Sequence, residues 1–252
     1  MKLMKTKMMN RYLIKFMIRI IIFLIVFSVY LFNKQLLLQL VNTPIRYGIT
    51  PLHILWLGFM IMMFIHIFPK EPFTMALLKS EEKIYEPVKD YDEVGLFRFV
   101  KNQNHKAWIV MLIWLVFNAI FGILYAFNII DKADLYMLTV FYFLCDYICI
   151  LIYCPFQSHI MKNKCCVNCR IYDWGHFMMF TPMIFIRSFY TWSLFFTSCV
   201  VLIRWELIYA KHPERFWSGS HKNLQCAYCK DKTCQIKNNI KAYALEVTSK
   251  RM

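Results

Sequence analysis

Six of the ten cysteines fall in two tight knots, Cys165-Cys166-x2-Cys169 and Cys226-x2-Cys229-x4-Cys234. A CxxC turn presents two thiolates to one ion, because the loop between them is tight and its backbone N–H groups face sulfur. Cys166/Cys169 and Cys226/Cys229 therefore read as the two knuckles of a four-cysteine zinc site. The interval from Cys169 to Cys226 is far longer than in a zinc ribbon, so the fold must bring the knuckles together. Cys165 and Cys234 exceed what one zinc ion needs and suit an iron–sulfur cluster, a binuclear site or a thiol relay. The C-x2-C-x4-C order reverses the plant-type ferredoxin spacing. Zinc and an iron–sulfur cluster both remain open as cofactors. Lys162, Lys164, Arg170, Lys222, Lys230 and Lys232 flank the knots. They would lower thiolate pKa and offset cluster charge, and they would equally serve as contacts to anionic lipid headgroups.

A second constellation lies in an apolar run. Cys145, Asp146 and Cys149 are three and four residues apart, which puts Asp146 with Cys149, and Cys145 with Cys149, on one helical face. An ionisable residue at membrane depth needs a partner. Arg187, in the last apolar stretch, is the expected counter-ion, in either a functional pair or a purely structural lock. His176 and His221 follow the two Trp- and Gly-containing stretches beside the knots and are read either as substitute ligands or as residues of a headgroup boundary. His53 and His66, near opposite ends of another apolar run, are expected to be interfacial. No Walker A, GxSxG, HExxH or GxGxxG motif occurs, so hydrolase and nucleotide-driven functions have no support. No nucleic-acid partner is indicated. Whether the protein is an enzyme stays open.

The elements that would position these groups are membrane helices. Hydrophobic residues make up 59% of 252 positions and aromatics 18%, against about 45–50% apolar in a soluble domain. Apolar runs of about 18 or more residues qualify as spans. They occur at Tyr12–Phe32, Pro51–Phe68, Ala107–Ile130 and Leu135–Pro155. Lys15 and Arg19 in the first are expected to snorkel to the interface. The first run is too long for a signal peptide and reads as a retained anchor. The third and fourth runs are joined by Asp131-Lys132-Ala133-Asp134 and predict an antiparallel hairpin. The segment 70–106 is mixed in charge and reads as a solvated loop with short amphipathic helices.

The last apolar stretch, 177–209, decides everything chemical. As one straight helix it would be about 50 Å long, beyond a hydrocarbon core of about 30 Å. Thr181-Pro182 and the cluster Arg187–Ser193 are candidate breaks. If the stretch turns back, both knots share one face; if it crosses once, they never meet. With the N-terminus inside, a return leaves only Lys34, Arg46 and Lys132 outside and Arg187 at the tip, with twenty-six of the thirty basic residues inside. The preference for cytoplasmic Lys and Arg favours that return.

The expected fold is accordingly an all-α polytopic membrane bundle of four spanning helices plus a C-terminal re-entrant or two-crossing hairpin. It divides into a membrane region, 1–155, and Cys-rich cytoplasmic elements, 156–252, flanking the hairpin. The expected location is the cell membrane, multi-pass, with both termini cytoplasmic, in contact with lipid and its anionic headgroups. In that compartment thiols stay reduced, so metal binding outranks disulfides. Three functions are compatible: a membrane redox or electron-transfer component, a scaffold or accessory protein with a structural zinc site, and, with less support, a small-solute or metal transporter.

Overall fold

The computed structural model of the chain describes residues 7–42, 49–69, 73–163 and 165–239. Among them there is no β-strand. The helices are α1 (Lys7–Phe32), α2 (Lys34–Asn42), α3 (Pro51–Ile67), α4 (Met75–Leu78), α5 (Glu93–Ala126), α6 (Lys132–Leu151), α7 (Gly175–Phe180) and α8 (Phe189–Lys211). Four of them, α1, α5, α6 and α8, are long and apolar enough to cross a membrane. Their outer faces carry exposed Ile14, Ile18, Ile25, Leu112, Val116 and Phe196. In water such a surface would be a liability; lipid accepts it without cost. Helix α3, at 17 residues, is about 26 Å long and falls short of the others.

Helix α5 departs from the expected loop-then-span pattern, since it runs unbroken from Glu93 to Ala126. Its buried residues are Gln103, Ala107, Val110, Trp114, Asn118 and Gly122. They follow one another at intervals of three and four, forming a single stripe that passes the polar-to-apolar boundary without interruption. A helix of about 51 Å results, longer than a hydrocarbon core of about 30 Å. Helix α6 begins at a capping box in which Asp131 and Asp134 each accept from the other's backbone N–H. It stops at Leu151, short of Pro155, whose ring cannot continue the ladder.

The 177–209 stretch does turn back. Its descending arm is short: α7, then a 3-10 segment, Thr181–Phe185, with Pro182 in its first turn, together about 19 Å. The chain reverses at 186–188, where Thr191 Oγ1 donates to Ile186 O (2.6 Å) and Trp192 Nε1 to Ile184 O (3.1 Å). The ascending arm, α8, is a full 23-residue helix. Two short arms were expected, and one is long because no proline or glycine interrupts 189–211. The arms run antiparallel, with Trp205 Nε1 donating to Arg170 O (2.6 Å) and Trp174 Nε1 to Glu206 Oε1 (2.8 Å).

The 3-10 segment is the hub of the bundle. It wedges between α5, α6 and α8, so that α5 and α6 meet mainly through Trp114, Tyr142 and Asn118, with the Trp114 and Tyr142 ring centroids 4.7 Å apart. Gly122 permits that wedge, because a Cβ there would lie 2.3 Å from the Phe185 ring. Helix α1 packs antiparallel on α6, while α3 packs on α8 through Trp56–Ser193 and His53–Tyr190 hydrogen bonds. One end of the bundle consequently collects residues 73–106, 152–174 and 212–239.

Candidate functional site

Both cysteine knots lie at that end. Cys166 and Cys169 bracket a tight turn closed by Cys169 N–H to Cys166 O (3.0 Å), and both are buried. The Lys79 amine, fully buried, donates to Val167 O (2.7 Å) and Cys169 O (2.8 Å), which holds the turn from beneath. The second knot is more open: Cys226 is exposed, Cys229 and Cys234 half-buried. It approaches the first through an apolar cluster in which Cys165 and Cys229 pack with Met75, Ala76, Val167 and Leu224. Residues 234–239 are helical and return Lys237 to the first knot. Its Nζ lies 3.0 Å from Cys166 Sγ, 2.7 Å from Gln157 Oε1 and 2.7 Å from Cys149 O.

The thiols continue into the bundle. Cys149 and Cys154 hydrogen-bond through their thiols. Cys145, Cys149, Cys154, Cys166 and Cys169 all line one cavity of about 120 Å³, together with Asp146, Gln157 and mostly apolar groups such as Trp114, Phe156 and Met178. The two knots and the α6 pair, separate motifs in the chain, thus form one band. Among the described residues, no three His, Cys, Asp or Glu side chains are placed to hold a metal ion as they stand.

Burial sets the protonation of this band. It pushes the Cys165 and Cys169 thiols up to about 12, and raises Cys166 and Cys234. The same burial pulls the Lys79 amine down to about 8, against the opposing attraction of Cys169, Cys165 and Cys166. Lys237 likewise favours thiolate at Cys166. Cys154 moves the other way, lowered by the hydrogen bond from Cys149. Among the described residues neither Lys79 nor Lys237 has a carboxylate ion-pair partner.

Asp146 does have a buried partner, but it is Arg19. The Arg19–Asp146 pair spans 2.8 Å, and the guanidinium is sandwiched 4.0 Å from the Phe143 and Tyr147 ring centroids. Arg19 therefore does not snorkel to the interface. Two aromatic faces and a carboxylate give it a better environment inside. Arg187 is exposed at the hairpin tip. The reason is register: α1 lies antiparallel to α6, and its fourth turn, which carries Arg19, reaches the depth of Asp146.

The histidines divide. His221 is fully buried with Nδ1 3.0 Å from Arg215 O and Nε2 3.1 Å from Ile84 O, a structural clamp. His53 Nε2 meets the Tyr190 hydroxyl at 2.6 Å. His66 is not merely interfacial: its Nδ1 lies 2.6 Å from Asp173 Oδ1, and its ring stands edge-on to that of His176, 4.4 Å between centroids. Lys79, Lys237, Arg19, Cys154 and Asp173 were not foreseen as site residues. Only Arg19 carried a sequence signal, through the Arg11, Lys15, Arg19 spacing of four that puts three cations on one face of α1. No family model, curated protein or solved structure matches the chain.

Proposed function

We propose that this is a multi-pass cell-membrane protein that carries a metal–thiolate centre at the cytoplasmic end of its bundle, and that the centre belongs to a membrane redox component. The observation that carries the reading is the pair of buried ammonium groups without carboxylates. Lys79 is fully buried, and Lys237 nearly so with its Nζ 3.0 Å from Cys166 Sγ. An uncompensated buried cation costs several kcal/mol. Asp173 attracts Lys79 less than the neighbouring thiols would if ionised, yet burial keeps isolated thiols protonated. A divalent ion or cluster resolves the conflict: four thiolates on a divalent ion retain two negative charges, which the two ammoniums balance.

The residues fit such a group in chemical type. Cys165, Cys166 and Cys169 would supply one knuckle, Cys229 with Cys226 or Cys234 the other, and the half-exposed second knot is free to close on the buried first. When bound, the group would supply thiolate-ligated charge and, as an iron–sulfur cluster, electron storage. The file of Cys154, Cys149 and Cys145 leading from the knots into the bundle favours redox over a purely structural role. Cytoplasmic placement of this end is supported by the concentration of Lys and Arg there.

A structural zinc in an accessory protein is the second reading. It is favoured by the way both knots tie residues 222–239 to the 156–174 loop. Metal and acid-labile sulfide analysis of the purified protein, with its visible spectrum, separates the two. Iron, sulfide and a visible band support the redox reading, and a single colourless zinc per chain supports the scaffold. A metal-free protein that also fails to bind zinc or iron after reduction would refute both. Small-solute transport predicts dependence on Asp146 with indifference to loss of Cys226.

A further inference from the structure

The bundle contains a second polar site, independent of the thiols. Helix α1 rests on α6 and α3 rests on α8, leaving between α1 and α3 a cleft of about 550 Å³ floored by Tyr172, Gly175, His176 and Met179. Its volume is in the range of small-ligand sites, about 300–1,000 Å³. The cleft is graded along its length. Toward the Cys-rich end it is lined by Arg11, Lys15, Arg19, His66, Asp173 and His176; beyond, by Gly58, Ile61, Met62 and Ile65 of α3. A polar head with an apolar continuation is the profile of a lipid.

Charge and hydrogen bonding specify the head. Three cations lie on one face of α1 at intervals of four, and like charges so spaced repel. The two carboxylates of the cleft are already taken, Asp146 by Arg19 and Asp173 by His66. Lys15 makes no ion pair among the described residues. His176, 7% exposed, lines the cleft with its Nδ1 buried and without a hydrogen-bond partner. A buried polar atom left in that state costs about 1–3 kcal/mol. An oxygen-rich anion entering from the bilayer would give Lys15 the counter-charge it lacks.

We propose that the α1/α3 cleft binds a single phospholipid with an anionic headgroup, its phosphate against Lys15 and its acyl chains leaving past Gly58. This site does not depend on the metal–thiolate reading. Gly58 offers the decisive variant, because a Cβ there would meet nothing within 4 Å. Gly58→Leu puts bulk into the cleft from a position where the Cβ has room and improves helix propensity.

The test uses the full chain, purified and delipidated in neutral detergent, then exposed to phosphatidylglycerol, phosphatidylcholine or inorganic phosphate and read by native mass spectrometry. The expected result is a single phosphatidylglycerol retained by the wild type and at least about tenfold weaker retention in Gly58→Leu. Lys15→Gln should weaken retention as well, and both variants should keep the wild-type lipid-free melting temperature. Equal retention of phosphatidylcholine, retention in Gly58→Leu as strong as in wild type, or displacement of the lipid by millimolar phosphate would overturn the proposal. Should Gly58→Leu fold poorly, the wild-type lipid comparison and Lys15→Gln still decide it.

Discussion

Two polar regions, the α1/α3 cleft and the cysteine band, share a thin wall at Asp146 and Gly175, which line both cavities, and they handle buried charge in opposite ways. In the cleft, each carboxylate meets a partner within the fold: Asp146 the Arg19 guanidinium, Asp173 the His66 imidazole. In the band, Lys79 and Lys237 meet carbonyls, an amide and a thiol, but no carboxylate ion-pair partner among the described residues. A satisfied ion pair holds helices in register and needs nothing further. An ammonium among neutral thiols is a charge arrangement complete only when those thiols ionise. On the proposed reading, the difference separates a charge pair that builds the fold from one that a bound metal would complete.

The largest expected effect tests the satisfied pair. Asp146→Ala leaves Arg19 buried between two rings with no anion and should destabilise the protein by about 3–5 kcal/mol. Unfolding in detergent measures this. Adding Arg19→Met should recover much of the loss, giving a double-mutant coupling that an interfacial, snorkelling arginine would not show.

The next effect tests the unsatisfied charges. Lys237→Met should cost the metal-loaded protein about 1–3 kcal/mol more than the chelated protein, since its bond to a charged thiolate exists only in the former. Equal shifts in melting temperature with and without chelator would remove the contrast between the two regions.

The shared wall gives a third. Gly175→Ala places a Cβ 2.7 Å from Asp146 Oδ1 and should cost about 1–3 kcal/mol by overpacking. Gly58→Ala, with nothing within 4 Å, should be neutral or slightly stabilising. Circular dichroism melts of the two single variants compare them directly.

The smallest effect belongs to the residue first expected to partner Asp146. Arg187→Gln, at an exposed turn, should change stability by no more than about 0.5 kcal/mol. A loss comparable with that of Asp146→Ala would mean that Arg187 does reach the buried carboxylate.

Much of this architecture was legible in composition and charge. The anchors at Tyr12–Phe32 and Leu135 onward, the break at Thr181-Pro182 and the reversal near Arg187 all follow from apolar run length, proline chemistry and the distribution of Lys and Arg. Other features were not. The polar first turns of α5 look like a loop because helical continuity there is enforced by a buried stripe, Gln103 to Gly122, whose packing partners lie elsewhere in the chain. Arg19 looks like an interfacial residue because its carboxylate is 127 positions away. Lys79 and Lys237 look like two more of the many basic residues at one membrane face.

The order of residues alone determined that the chain is an apolar helical bundle, that its last oily stretch cannot be one straight span, and that thiols are concentrated in two knots. Those are consequences of local composition, where each residue's solvent preference acts independently of its distant neighbours. Only the tertiary structure decided which cation meets Asp146, that two lysines are buried under the knots with no carboxylate ion pair among the described residues, and that α1 and α3 stand apart over a histidine whose Nδ1 has no hydrogen-bond partner. Each of these is a pairing across the chain, and a charge's meaning depends on what the folded backbone brings within a few ångströms of it.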